Sequence, residues 1–204
     1  MIEQLACKQG RRDEACNIEL AEKLCSNTDK EGIFEIVNGY KAQDAAVASD
    51  CIKVLYEVAR RKPELVVVYT ADFINGLSSK NNRLVWGSMT ALAHSAFMAA
   101  PTIYQRLDEV IAAYRQGSVI TIDNSISVFA ALCQADPSYT QKILPVLLNH
   151  FEHCRAKEIP QHAERLANSL TTTAKKEILK IIESRYSELS VSQSNRLKKI
   201  LKTF

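Results

Sequence analysis

A chain of 204 residues, 47% hydrophobic and 24% charged, has the makeup of ordinary globular material and excludes a disordered polypeptide. Net charge is +3 but uneven: from Ala174 to Phe204 eight Lys or Arg stand against three Glu, so this end carries +5 and the remainder −2. No stretch approaches the roughly eighteen uncharged apolar residues of a membrane span, and Met1-Ile2-Glu3-Gln4 begins nothing like a secretory signal, so the expected address is the cytoplasm. Six cysteines, Cys7, Cys16, Cys25, Cys51, Cys133 and Cys154, lie without close pairs and are expected to be reduced and mostly buried.

From the N-terminus, residues 11–26 predict a first helix, and Thr28-Asp29-Lys30-Glu31 a capping box that opens the next. Asp44 is placed to cap a helix over 45–61, in which Cys51, Ile52, Leu55, Val58 and Ala59 recur at three- and four-residue steps and form one apolar stripe. After Lys62-Pro63 a second stripe follows, with Val66, Tyr69, Phe73, Ile74 and Leu77, and Pro63 suits a first helical turn, where a missing N–H costs nothing. Asn81 and Ser118 repeat the capping chemistry of Asp44 at steps of 37, while Pro101 and Asp136-Pro137 repeat the proline between the helices of a pair. The β-branched runs Val66-Val67-Val68 and Val119-Ile120-Thr121-Ile122 are short and lack hairpin partners, and the second is read as the start of a helix. Ala163 and Leu166, then Ile178, Ile181 and Ile182, predict two further helices. A last amphipathic helix places Leu197, Ile200, Leu201 and Phe204 on one side and Arg196, Lys198, Lys199 and Lys202 on the other.

These elements share one period. Ile18, Leu55, Leu92, Phe129 and Leu166 are each 37 positions apart, and the pentapeptides Ile36-Val37-Asn38-Gly39-Tyr40, Phe73-Ile74-Asn75-Gly76-Leu77, Val110-Ile111-Ala112-Ala113-Tyr114 and Leu147-Leu148-Asn149-His150-Phe151 keep the same register. A fixed period of this length marks stacked repeats, in which each unit covers the apolar face of its neighbour. The expected fold is all-α, a right-handed α-α superhelix of about five two-helix units with period 37. One domain spans 1–204, with units at 8–43, 44–80, 81–117, 118–154 and 155–189 and a capping helix at 190–204. The fourth pentapeptide position is Gly39, Gly76, Ala113 and then His150, and its small residues are expected to admit a neighbouring backbone.

Two-helix units of this length, with a proline near the inter-helix turn, resemble HEAT or armadillo-type repeats over about residues 11–186. The residues are more similar to HEAT, since 37 positions leave no room for the third helix of an armadillo unit. The resemblance implies a groove lined by second helices and is nearly silent on activity. The expected function is therefore a non-catalytic scaffold module that binds a protein or peptide partner, with Asp72, Asn75, Arg106, Glu109, Lys142 and Asn149 as the groove contacts.

The alternative is nucleic acid. In size and repeat architecture the chain also resembles the HEAT-like alkylpurine DNA glycosylases, whose likeness implies a basic groove with aromatics and an acidic residue; Trp86 and Asp123 are the positions that could serve, with Lys198, Lys199 and Lys202 as phosphate contacts. Mixed charge along the second helices, Asp72, Arg106, Asp108, Glu109, Arg115, Lys142 and Glu152, argues against a groove that tracks a phosphate backbone.

His150, His153, Cys154 and His162 form the one constellation with metal-ligand chemistry. Its spacing matches no zinc pattern, and helical phase turns His153 away from Cys154, so no metal and no cofactor are expected. No phosphate loop and no GxSxG elbow is present, and Cys16 and Cys25 sit among Glu14, Glu19 and Glu22, which oppose a thiolate.

Overall fold

The computed structural model describes residues 1–200. Helices follow one another in pairs: α1 (Ala15–Asn27) and α2 (Lys30–Tyr40), then α3 (Ala45–Arg61) and α4 (Thr70–Gly76), then α5 (Asn82–Ser95) with α6 (Ala100–Gln105) and α7 (Leu107–Gln116). They continue with α8 (Val119–Ala135) and α9 (Thr140–His153), α10 (Ile159–Leu166) and α11 (Thr172–Ser184), and a final α12 (Val191–Ile200). No strand occurs among the described residues. Two compact units divide the chain, Met1–Ser125 and Ile126 onward, with the division inside α8.

The caps set the first helices in register. Asp44 accepts from the amides of Ala46 and Val47 at 3.0 and 3.1 Å, Asn81 from Arg83 at 2.9 Å, and the Ser118 hydroxyl from Thr121 at 3.4 Å. Each satisfies donors that a helix start leaves unpaired. Near the N-terminus the structure departs from expectation twice. Helix α1 opens at Ala15 rather than at residue 11, because Asp13 takes the Ala15 amide at 3.0 Å and also binds Arg11, holding the preceding residues out of the helix. The cap of α2 is Asp29, accepting from Gly32 at 2.8 Å, and not Thr28, which instead closes α1 with a left-handed φ of 51°. That conformation crowds a β-branched side chain against its own carbonyl. Thr28→Asn is expected to raise the free energy of unfolding by about 0.5 kcal/mol, read as a higher urea midpoint, since asparagine tolerates this region.

Prolines shape the second helix of each pair. Pro63 and Pro137 open short 3₁₀ turns, Pro63–Leu65 and Pro137–Tyr139, and Pro101 lies in the first turn of α6. The two-helix layout expected from the stripes is thus interrupted by tight turns, and the third pair has its second helix divided at Arg106.

In the N-terminal unit, α3 packs against α1, α2 and α5. Ile33, Ile36, Ile52, Leu55, Phe73, Met89 and Leu92 have essentially no exposed surface. Burial of each such side chain contributes about 2 kcal/mol. In the C-terminal unit, Phe129, Ile143, Leu147, Phe151, Leu166 and Ile178 form the core, with α9 packed on α11 and α10 on α12. Of the 37-step column, Leu55, Leu92, Phe129 and Leu166 are fully buried and Ile18 half-buried. In α12, Leu197 and Ile200 face inward while Arg196, Lys198 and Lys199 are exposed; Leu201, Lys202 and Phe204 lie outside the described residues.

Small residues at the fourth pentapeptide position make room for side chains, not for backbone as expected. A Cβ on Gly39 would meet Cys51 Sγ and Ile2 Cδ1, both at 2.6 Å, and one on Gly76 would meet the Tyr40 hydroxyl. His150 takes the same position in the fourth pair and is itself buried.

Candidate peptide interface on the second helices

Four of the six residues expected to line the groove lie in the N-terminal unit, and the structure brings three of them into contact. Arg106 sits where α6 gives way to α7, which frees its side chain from either helix. Its guanidinium donates to Asn75 Oδ1 at 2.8 Å, to both oxygens of Glu109 at 2.6 Å, and to the carbonyl of Ala71 at 3.4 Å. The planar fork of arginine suits such a set, since its donors are fixed relative to one another. Hydrogen bonding from Arg106 holds the Glu109 carboxyl below the usual carboxylate range, and the same contact raises the guanidinium.

Asp72, one turn before Asn75, pairs with Lys41 at 3.3 Å. Lys41 directly follows α2, so side-chain contacts join α2, α4 and the α6–α7 pair in sequence. Asn75 and Glu109 are exposed, Asp72 and Arg106 half-buried. Beside this row opens a cleft of about 500 Å³ with an apolar floor of Ile74, Leu77, Val85 and Ala113 and a polar rim that includes Ser79, Lys80, Glu109 and Gln116. Lys41 was not singled out in the sequence; its place immediately after the pentapeptide Ile36–Tyr40, where cations favour a helix end, is the signal that could have found it.

Lys142 and Asn149, the other two expected contacts, are exposed on α9 in the C-terminal unit. Trp86 lies half-buried near the start of α5, its ring 5.7 Å from Tyr56 and 5.9 Å from the Arg83 guanidinium. This is an inter-helix packing role, α3 against α5. Asp123 is half-buried on α8. Lys198 and Lys199 are exposed on α12, and Lys202 lies outside the described residues.

The chain is similar in structure to a designed armadillo repeat protein in complex with the peptide (KR)4, at 13% identity, with 100% of this chain and 97% of that one covered and a TM-score of 0.70. The fold is an armadillo-type, all-α repeat solenoid. No protein-family model and no curated protein matches the chain. No helix among the described residues is long and apolar enough to cross a membrane.

Within this armadillo-type fold, the histidine and cysteine constellation separates. His150 Nε2 and His162 Nδ1 share a hydrogen bond of 2.8 Å between α9 and α10, both rings buried, whereas His153 is exposed and contacts the carbonyl of Asn149 at 2.9 Å. Among the described residues no three His, Cys, Asp or Glu are arranged to hold a metal ion. Burial pushes the Cys154 thiol up to about 11, with the Arg185 charge opposing it, and burial likewise takes Cys51 to about 12. Cys25 is raised chiefly by burial rather than by the acidic neighbours that sequence suggested. Thiols held this far above neutral pH are poor nucleophiles.

Sequence reasoning also missed a set of buried charges on the first helices. Asp50, Lys53 and Glu57 of α3 are 8%, 7% and 5% exposed, although charged residues are rarely covered so completely. Lys53 bonds Glu57 at 2.9 Å and Glu14 at 3.3 Å and lies 4.7 Å above the Tyr56 ring; Glu57 also pairs with Arg60 and Arg61, Arg61 with Glu22, and Arg83 with Glu14. The spacing of Lys53, Glu57 and Arg61, four residues apart, was visible. That α1 and α5 cover it was not.

Proposed function

We propose that the chain is a binding module without catalysis, taking a peptide or helix of a partner protein along its second helices. The observation that carries this reading is the Asn75–Arg106–Glu109 row: an exposed amide and carboxylate joined by a half-buried guanidinium on consecutive second helices, held in position by one another beside an open cleft. Groups held in place lose little entropy when a ligand engages them, which favours binding. The complex of a structurally similar armadillo repeat protein with a peptide is consistent with this use of the fold. Asp72, Asn75, Arg106 and Glu109 are the proposed contacts in the N-terminal unit, with Lys142 and Asn149 in the C-terminal one.

Panning the tagged protein against a random-peptide library tests the proposal. Enriched peptides are expected to lose about tenfold or more in affinity to the Asn75→Ala/Arg106→Ala variant, with its helical circular dichroism unchanged. Failure to enrich any peptide, or equal binding by the variant, would overturn it.

A further inference from the structure

The last pentapeptide position is aromatic at Tyr40, Tyr114 and Phe151 but leucine at Leu77. In the first pair the ring fills the space towards the next pair: Tyr40 is 5% exposed, its hydroxyl lies against Gly76, and it bonds Ser88 on α5 at 2.8 Å. Leu77 is too short to reach as far. Beside it opens the cleft of about 500 Å³, whose lining includes Ala113, the counterpart of Gly76 one period on. Sites for small ligands span roughly 300–1,000 Å³, so the cleft can hold a side chain together with its backbone.

Two charged residues line this cleft, Lys80 and Glu109. Arg106 already holds both oxygens of Glu109 at 2.6 Å, whereas Lys80 is exposed and, among the described residues, in no ion pair. Asn82, also in the lining, is the first residue of α5, so the partial positive charge of that helix start adds to Lys80. Ala113 and Gln116 belong to the last turn of α7, whose carbonyls have no acceptor role within the helix. Between the two ends lies the apolar floor of Ile74, Leu77 and Val85. The matching ligand therefore has one anionic group, a compact apolar body and an N–H donor.

We propose that the cleft takes the C-terminal residue of the partner peptide, with an aliphatic side chain on Leu77 and Val85, the free α-carboxylate at Lys80 and the amide N–H at the end of α7. The inference rests on the peptide-binding reading above: Glu109 belongs both to the Asn75–Arg106–Glu109 row and to the rim of the cleft, so a segment held by the row meets the cleft next. An internal residue has no carboxylate on its own backbone, which is why a chain end complements Lys80. Burial of a leucine-sized side chain is the larger contribution, about tenfold or more in affinity.

The experiment is an array of short peptides, attached through their N-termini and randomised except for a defined last residue, made with a free carboxylate or as the amide. The full chain is expected to bind best to free-carboxylate peptides ending in Leu, Ile or Met, and amidation or Lys80→Glu to weaken them about tenfold. Ala112→Trp, at an exposed position in the lining, should fill the cleft and abolish this binding with helical circular dichroism unchanged. Equal binding of acid and amide, no preference for an apolar last residue, or undiminished binding by Ala112→Trp would overturn the inference. So would tighter binding of decanoate than of any peptide, which assigns the cleft to a small aliphatic anion, or a dimer that Ala112→Trp dissociates, which assigns it to a second copy. If peptides enriched by panning are lost with Asn75→Ala/Arg106→Ala yet are indifferent to Ala112→Trp and to amidation, this inference fails while the peptide-binding reading stands.

Discussion

Gly76→Ala is expected to destabilise the N-terminal unit by about 3 kcal/mol, against the usual gain of about 1 kcal/mol for replacing a helical glycine with alanine. The added methyl would overlap the hydroxyl of Tyr40, which is 5% exposed and hydrogen-bonded to Ser88 at 2.8 Å. Tyr40 comes from α2, Gly76 ends α4 and Ser88 lies in α5, so three helices meet where the methyl would go. Moving the ring aside would leave Ser88 without this partner in a buried site, which adds a desolvation cost to the steric one. Urea denaturation reads the effect as a lower midpoint. Removing the hydroxyl with Tyr40→Phe should recover part of the loss in the double variant, and additivity of the two changes would refute the contact.

Glu57→Leu is expected to cost about 3 kcal/mol, a comparable loss from a different cause. Leucine fits the buried position, so packing changes little. What is lost is the carboxylate shared by Lys53, Arg60 and Arg61. The two arginines can turn to solvent, but Lys53, with a side chain 9% exposed, would keep only Glu14 as a counter-charge, beside the Tyr56 ring. The same carboxylate predicts a pH effect. Burial raises the Glu57 pKa, yet hydrogen bonds from Lys53 and Arg61 and the charges of Lys53 and Arg60 outweigh burial and hold it below the ordinary value. A depressed folded pKa means stability that is fully present above the unfolded carboxylate value and lost as pH falls through the lower folded one. Thermal unfolding followed from neutral pH to below the carboxylate range should therefore show an acid-dependent loss in the wild type that is smaller in Glu57→Leu.

The helix starts at Ala45, Asn82 and Val119 were legible in the chain because Asp44, Asn81 and Ser118 act locally, each bonding an amide two or three residues on. The apolar column was legible for the same reason, since period follows from helix geometry alone. Thr28 was misread because two neighbouring helices compete for that short connection, and the need to close α1 prevailed over capping α2. At the candidate site, Asn75 and Glu109 could be picked out by helical phase, but nothing local says that Arg106 breaks its helix and so reaches both of them.

By itself, then, the sequence determined what depends on neighbours in the chain: helical content, the period of 37, the caps, and an all-α repeat solenoid as the fold class. Only the tertiary structure decided which polar residues are covered and which meet. Lys53 and Glu57 look like an exposed pair on an amphipathic helix until α1 and α5 close over them, and His150 and His162, twelve positions apart, touch only because α9 and α10 bring them together. Burial and pairing are set by long-range contacts, whose partners helical phase does not encode.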